Sequence, residues 1–239
     1  MKKLSLIVAF VASVALLGSC LRGTDPQPEQ VGGLTFVNTF IEAEAAYYYV
    51  NRNAIQGLDP LPYRSYGPQW PVYYPGESRR LEIYSTYQDN RLVDTTFTVR
   101  DSVYYSSIVY GTHDAPRHFI TEDRIPEDVD DPRAIAAVRF FNLANTDHRV
   151  TLRIGDIEPV AAFRNRPLET AQTGKAGEAF TQVAIGTYAI SVVDEDGETV
   201  ATRQGTVDLP AGSYTSVFLT GDERDPTTFY VGVVRQWVN

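Results

Sequence analysis

Cys20 is the sole cysteine among 239 residues, which excludes an intrachain disulfide framework and a cysteine-based zinc site. Its setting, Leu17-Gly18-Ser19-Cys20, has the order of a bacterial lipobox. Small side chains at 18 and 19 open the backbone to a peptidase, and the thiol forms a thioether to diacylglycerol. The three histidines are His113, His118 and His148. They show neither an H-E-x-x-H nor a two-His-one-carboxylate spacing, so they read as loop or strand-surface residues. No G-x-S-x-G elbow and no glycine-rich phosphate loop occur. Acids gather in turns and in residues 121–134, TEDRIPEDVDDPRA. That run lacks the one-three-five spacing and the turn glycine of a calcium loop, so it reads as a solvated linker. The chain offers no catalytic residue, no metal ligand set and no cofactor motif.

Tyrosine is distributed unevenly. Tyr188, Tyr214 and Tyr230 are the only ones beyond residue 110; the rest lie between 47 and 110. Residues 61–74, LPYRSYGPQWPVYY, combine aromatics with three prolines, which prevent a regular ladder. Alternate residues of a strand face opposite ways, so not all these rings can enter one core. Adjacent pairs such as Tyr73-Tyr74 and Tyr104-Tyr105 require one member to face outward or cover an edge. Amphipathic rings beside a guanidinium suit a binding surface for protein or glycan. The candidate binding residues are therefore Tyr63, Arg64, Tyr66, Trp70 and Tyr73. The alternative is that these rings cap a sandwich and pack a joint between domains.

The elements that must hold these residues are strands. Residues 1–19 read as a lipoprotein signal peptide: Lys2 and Lys3 precede the apolar run Leu4 to Leu17, which is too short to span a bilayer. Residues 20–32 read as lipid anchor and polar tether. The composition, 43% apolar with a net charge of −9, excludes disorder and argues against nucleic acid, which needs a basic face. Beyond the tether, Val93, Thr95, Phe97 and Val99 alternate with polar neighbours, as do Tyr188, Ile190 and Val192. Residues 46–52 read as a strand despite the helix formers just before them. Asp196-Gly197 marks a hairpin between Ile190–Val193 and Thr199–Ala201. The pattern also repeats. LTFVN at 34–38 resembles VRFFN at 138–142, and SVYYSSIVYG at 102–111 resembles GSYTSVFLTG at 212–221. The fold expected is all-β: a first sandwich at 33–124, an acidic linker at 125–134 and a second sandwich at 135–239.

The combination of LTFVN, YYYVNRN, LPYRSYGPQWPVYYPGESRRLEIYS, TFTVRDSVYYSSIVYG and HFITEDRIPEDVDDPRAIAAVRFFN resembles the domain of unknown function 4397. The resemblance covers about 34–236. It implies tandem immunoglobulin-like or transthyretin-like antiparallel sandwiches on secreted or lipid-anchored bacterial proteins, common among Bacteroidetes-type lipoproteins. It brings no activity to transfer. The expected protein is a non-enzymatic, lipid-anchored component of the cell envelope, on the periplasmic or surface face of the outer membrane. It binds a protein or glycan through the first repeat, or serves as a structural subunit of an envelope complex. Its partners are the membrane, through the lipid, and that envelope protein or glycan; nucleic acid is not among them.

Overall fold

A computed structural model describes residues 31–55, 59–67, 72–87, 90–126 and 128–236. The first ten strands run β1 (Gly32–Phe40), β2 (Ala45–Val50), β3 (Asn53–Ala54), β4 (Leu61–Pro62), β5 (Ser65–Tyr66), β6 (Val72–Tyr73), β7 (Ser78–Ser85), β8 (Arg91–Thr98), β9 (Tyr104–Thr112) and β10 (Ala115–Glu122). Then follow β11 (Ala136–Asn142), β12 (Thr151–Ile154), a 3-10 turn (Ala161–Phe163), the helix α1 (Ala171–Ala176), β13 (Thr181–Val183), β14 (Gly186–Val193), β15 (Thr199–Leu209), β16 (Ser213–Asp222) and β17 (Asp225–Gln236). Alternation in these segments puts one row of side chains inward and the other outward.

Four sheets result. In the first sandwich an inner sheet, β10-β9-β1-β5 with β6 on β1, faces an outer sheet, β3-β2-β7-β8 with β4 on β2. In the second, the inner sheet is β13-β11-β16-β17 and the outer sheet is β12-β14-β15. The strand order therefore recurs. In each copy the first strand pairs parallel with the penultimate one, β1 with β9 and β11 with β16. All other ladders are antiparallel. The hairpins that close the two copies also match. Gly111 and Gly221 have φ +93° and +133°, and a Cβ there would meet Ala115 O at 2.5 Å and Phe229 Cα at 2.7 Å. Only glycine fits such a position.

Each sandwich has its own core. Leu34, Phe36, Tyr48, Leu81, Ile83 and Val109 fill the first; Val138, Phe140, Leu152, Ile190, Val217 and Leu219 fill the second. A third cluster lies between the sandwiches. Val37, Ile108, Tyr110 and Phe119 from the first inner sheet meet Phe141, Phe218 and Val234 from the second. The inner sheets thus stack face to face and the molecule has four β layers. Strands β1, β9, β11 and β16 are buried on both faces, and they read as nearly uncharged runs for that reason. At the edge of this joint sits an ion pair. Arg139 Nη2 lies 2.6 Å from Asp123 Oδ1, their side chains 1% and 0% exposed.

The connections after the second strand of each copy reach across. From the second copy, α1 starts with a capping box in which Thr173 N–H donates to Thr170 Oγ1 and Thr170 N–H to Thr173 Oγ1. It lays Gly174 against the Phe119 ring, and Glu169 O accepts from Tyr110 Oη at 2.7 Å. From the first copy, the turn between β4 and β5 reaches the second sandwich.

Three expectations need adjustment. The strand expected over 46–52 ends at Val50, because Asn51 and Arg52 adopt φ +49° and +68° and turn the chain. The linker is only half solvated. Asp128, Asp130 and Asp131 are exposed, while Ile125 and Val129 pack against Phe180, Tyr214 and Ala137, and Asp123 is buried.

His118, expected on a loop or strand surface, is half-buried on β10. Its Nε2 lies 2.9 Å from Ser107 Oγ, and burial pushes the imidazole down to about 4 from 6.5. Between those values the unfolded chain takes up a proton that the folded chain refuses. This group's contribution to stability is therefore complete above the unfolded value and declines as pH falls from about 6.5 to about 4. Urea denaturation across that range should show the decline in the native chain. His118→Leu should flatten it, and parallel profiles for the two would contradict this account.

Candidate functional site

The outward face of the first outer sheet carries rings and charges in register. On β2, Tyr48 and Val50 point into the core, so Tyr47 and Tyr49 point out. The β2–β7 ladder sets Tyr47 opposite Tyr84 and Tyr49 opposite Glu82. The β7–β8 ladder sets Glu82 opposite Asp94. Tyr49 and Tyr84 meet edge to face with centroids 5.7 Å apart, and Tyr47 lies 6.4 Å from Tyr49. Around them Tyr47, Tyr49, Arg52, Arg80, Glu82 and Tyr84 line a shallow depression of about 580 Å3. That volume is in the range of small-ligand sites, ~300–1,000 Å3.

The charges are held in place by one another. Arg80 donates Nε to Asp94 Oδ1 at 2.8 Å and Nη2 to Asp94 Oδ2 at 2.7 Å, a bidentate fork. Arg80 also lies 3.1 Å from Glu82, and Arg91 lies 2.9 Å from Asp94. Tyr84 Oη donates to Glu82 Oε1 at 3.2 Å. The hydrogen bond from Arg80 holds the Asp94 carboxyl below its ordinary range and lifts the guanidinium above its own. Exposed pairs of this kind add little stability. What they give is a fixed, nearly charge-balanced set of donors and acceptors beside three aromatic rings.

The structure divides the residues expected to bind. Tyr63 and Arg64 serve the joint. Tyr63 Oη lies 3.4 Å from Thr220 Oγ1, Arg64 Nη2 donates to Thr228 O at 2.5 Å, and the guanidinium sits 4.6 Å from the Tyr230 ring centroid. Tyr73 packs edge to face on Phe97, under Arg79, so it belongs to the first core. Tyr66 is 45% exposed on the edge strand β5. They do not form one surface. Cys20 and Trp70 lie outside the described residues. The residues that do form a face, Tyr47, Tyr49 and Tyr84, sit on regular strands. The i, i+2 spacing of Tyr47 and Tyr49 was the available signal, and Tyr84 joins them only through cross-strand register.

Among the described residues no group of three or more His, Cys, Asp or Glu side chains converges as a metal site. No described helix is long and apolar enough to cross a membrane.

Fold and face together define a β-sandwich chain bearing an open aromatic platform. No family model matches the chain, and no curated protein does. Among solved structures it is similar to a family CBM26 carbohydrate-binding module from Eubacterium rectale Amy13K, crystallised with maltoheptaose. The identity is 11%, over 87% of this chain and 98% of that one, with a TM-score of 0.25. A likeness at that level carries no functional argument.

Proposed function

We propose that this chain is a non-enzymatic binding protein of the bacterial cell envelope, a member of the domain of unknown function 4397 family tethered through lipid on Cys20. It takes up a neutral glycan on the outer sheet of its first sandwich. The observation that carries the reading is the outward triad Tyr47, Tyr49 and Tyr84, framed by the Arg80–Asp94 fork. A pyranose presents an apolar C–H face and a rim of hydroxyls. Outward-facing rings match the face, and fixed carboxylates and guanidiniums match the rim. The near balance of charge on the platform favours a neutral sugar over a charged one.

A glycan array probed with the native chain should return neutral oligosaccharides. Tyr47→Ala with Tyr49→Ala removes about 1.5 kcal/mol of contact per ring, so affinity should fall about a hundredfold. The chain should still fold, with only a modest drop in thermal midpoint, because both rings lie on the outward face of β2 and outside the core. An array without neutral glycans, or a double variant that binds as before, would defeat the proposal. For the anchor, Cys20→Ser should move the protein from the membrane fraction to the soluble fraction. Unchanged membrane association would exclude lipidation at that residue.

A further inference from the structure

The joint between the sandwiches encloses a second cleft, of about 250 Å3, between the edge strand β5 and β17. It shares no residue with the tyrosine platform. We propose that this cleft binds the carboxylate of an acidic sugar, a hexuronate, with Arg64 and Arg203 as the recognising groups.

Both guanidiniums line the cleft, and no acidic side chain does. Neither arginine forms an ion pair among the described residues, in a chain whose net charge is −9. Arg203 donates Nη1 to Val231 O at 3.0 Å, but its Nε is buried with no acceptor. The Nε itself is closed off from the cleft, so Arg203 would meet a carboxylate through its terminal nitrogens, as a guanidinium fork does. Arg64 holds φ +62°, a left-handed conformation that a non-glycine residue adopts only under constraint. The hydrogen bond from its N–H to Asn38 O at 2.9 Å fixes that turn. The guanidinium lies 4.8 and 4.6 Å from the ring centroids of Tyr63 and Tyr230 and spends Nη2 on Thr228 O; its other nitrogens have no protein acceptor among the described residues.

The rest of the lining suits a sugar ring. Tyr66 and Tyr230 offer aromatic surface. The volume is below the ~300 Å3 floor of drug-sized sites, so the occupant is one ring and not a chain. A bare phosphate would meet the arginines and leave the aromatic wall unused.

Calorimetric titration of the full chain, native and with the platform removed by Tyr47→Ala and Tyr49→Ala, tests this with three probes: glucuronate, glucose and inorganic phosphate, the comparison among them being read in the platform variant. Glucuronate should bind at least about tenfold more tightly than either of the others, since only it has both the carboxylate and the ring. Arg64→Gln and Arg203→Gln should each weaken it about tenfold or more. Gly232→Val keeps both charges and places a side chain at the cleft wall, where a Cβ meets Tyr230 no closer than 3.5 Å. It should fold as the native chain does, by circular dichroism, and abolish binding. Lack of glucuronate binding by the native chain would overturn the proposal. So would equal affinity for glucose or phosphate, or unchanged binding by folded Gly232→Val.

Discussion

Arg139→Ala is expected to cost about 3–5 kcal/mol of stability, because it leaves a carboxylate buried and unpaired. All five N–H groups of this guanidinium are engaged. Nε donates to Ser216 Oγ at 2.8 Å, Nη1 to Glu122 O at 2.9 Å and Glu178 O at 3.1 Å, and Nη2 to Ser106 Oγ at 3.0 Å and Asp123 Oδ1 at 2.6 Å. Three of those acceptors belong to the first sandwich and two to the second, so one side chain rivets both. Burial pushes Asp123 up and Arg139 down from their ordinary pKa values, and the attraction between the two opposes both shifts. Without Arg139, Asp123 keeps Ser106 as a donor, at 2.8 Å. Arg139→Lys should lose most of the same energy, since an ammonium brings three donors to five acceptors. Arg139→Met combined with Asp123→Leu should recover much of the loss, because removing both charges also removes both desolvation penalties. Urea midpoints at constant m-value measure all three. A loss below about 1 kcal/mol for Arg139→Ala would mean the pair does not hold the joint.

Phe141→Ala is expected to cost about as much, roughly 3–5 kcal/mol, but to fail differently. Phe141 leaves the second inner sheet and stacks on Phe218 at 6.0 Å, with Phe119 of the first sandwich 5.3 Å away and Arg139 above it at 5.4 Å. Its loss opens a cavity between two bodies that each keep a core of their own. The single unfolding transition should therefore split in two. Phe36→Ala makes the contrast, since Phe36 packs against Tyr48 inside the first core. It should lower stability with no splitting of the transition that Phe141→Ala would produce. Calorimetry distinguishes the two outcomes, and one sharp transition in both variants would show that the sandwiches unfold as a unit.

The strands were legible because their physics is local. Alternation marks β8 and β14, Gly197 at φ +85° marks their kind of hairpin, and the recurrence of Gly111 as Gly221 marks the doubled topology. The stacking was less legible. A strand buried on one face alternates, but β1, β9, β11 and β16 are buried on both, and the trace they leave is a near absence of charge, with Arg139 and the terminal Asp222 of β16 as exceptions. The candidate site was harder to find for a related reason. Proline and aromatic composition pointed to 61–74, yet Tyr63 and Arg64 are used on Thr220 and Tyr230, contacts more than a hundred residues away that no local pattern encodes. Tyr47 and Tyr49 were obscured by the core residue Tyr48 between them, and pairing with Tyr84 depends on register.

The parallel ladder between β1 and β9 has a mechanical consequence. It runs in register from Gly33 opposite Tyr104 to Phe40 opposite Gly111, and β1 lies inside its sheet, not at the rim. A pull entering at residue 31 runs along the strand, so these pairings are loaded in shear and must give way together. A strand peeled from an edge would release them one at a time. Together with the second sheet pressed on its other face, this equips β1 to carry tension along its length.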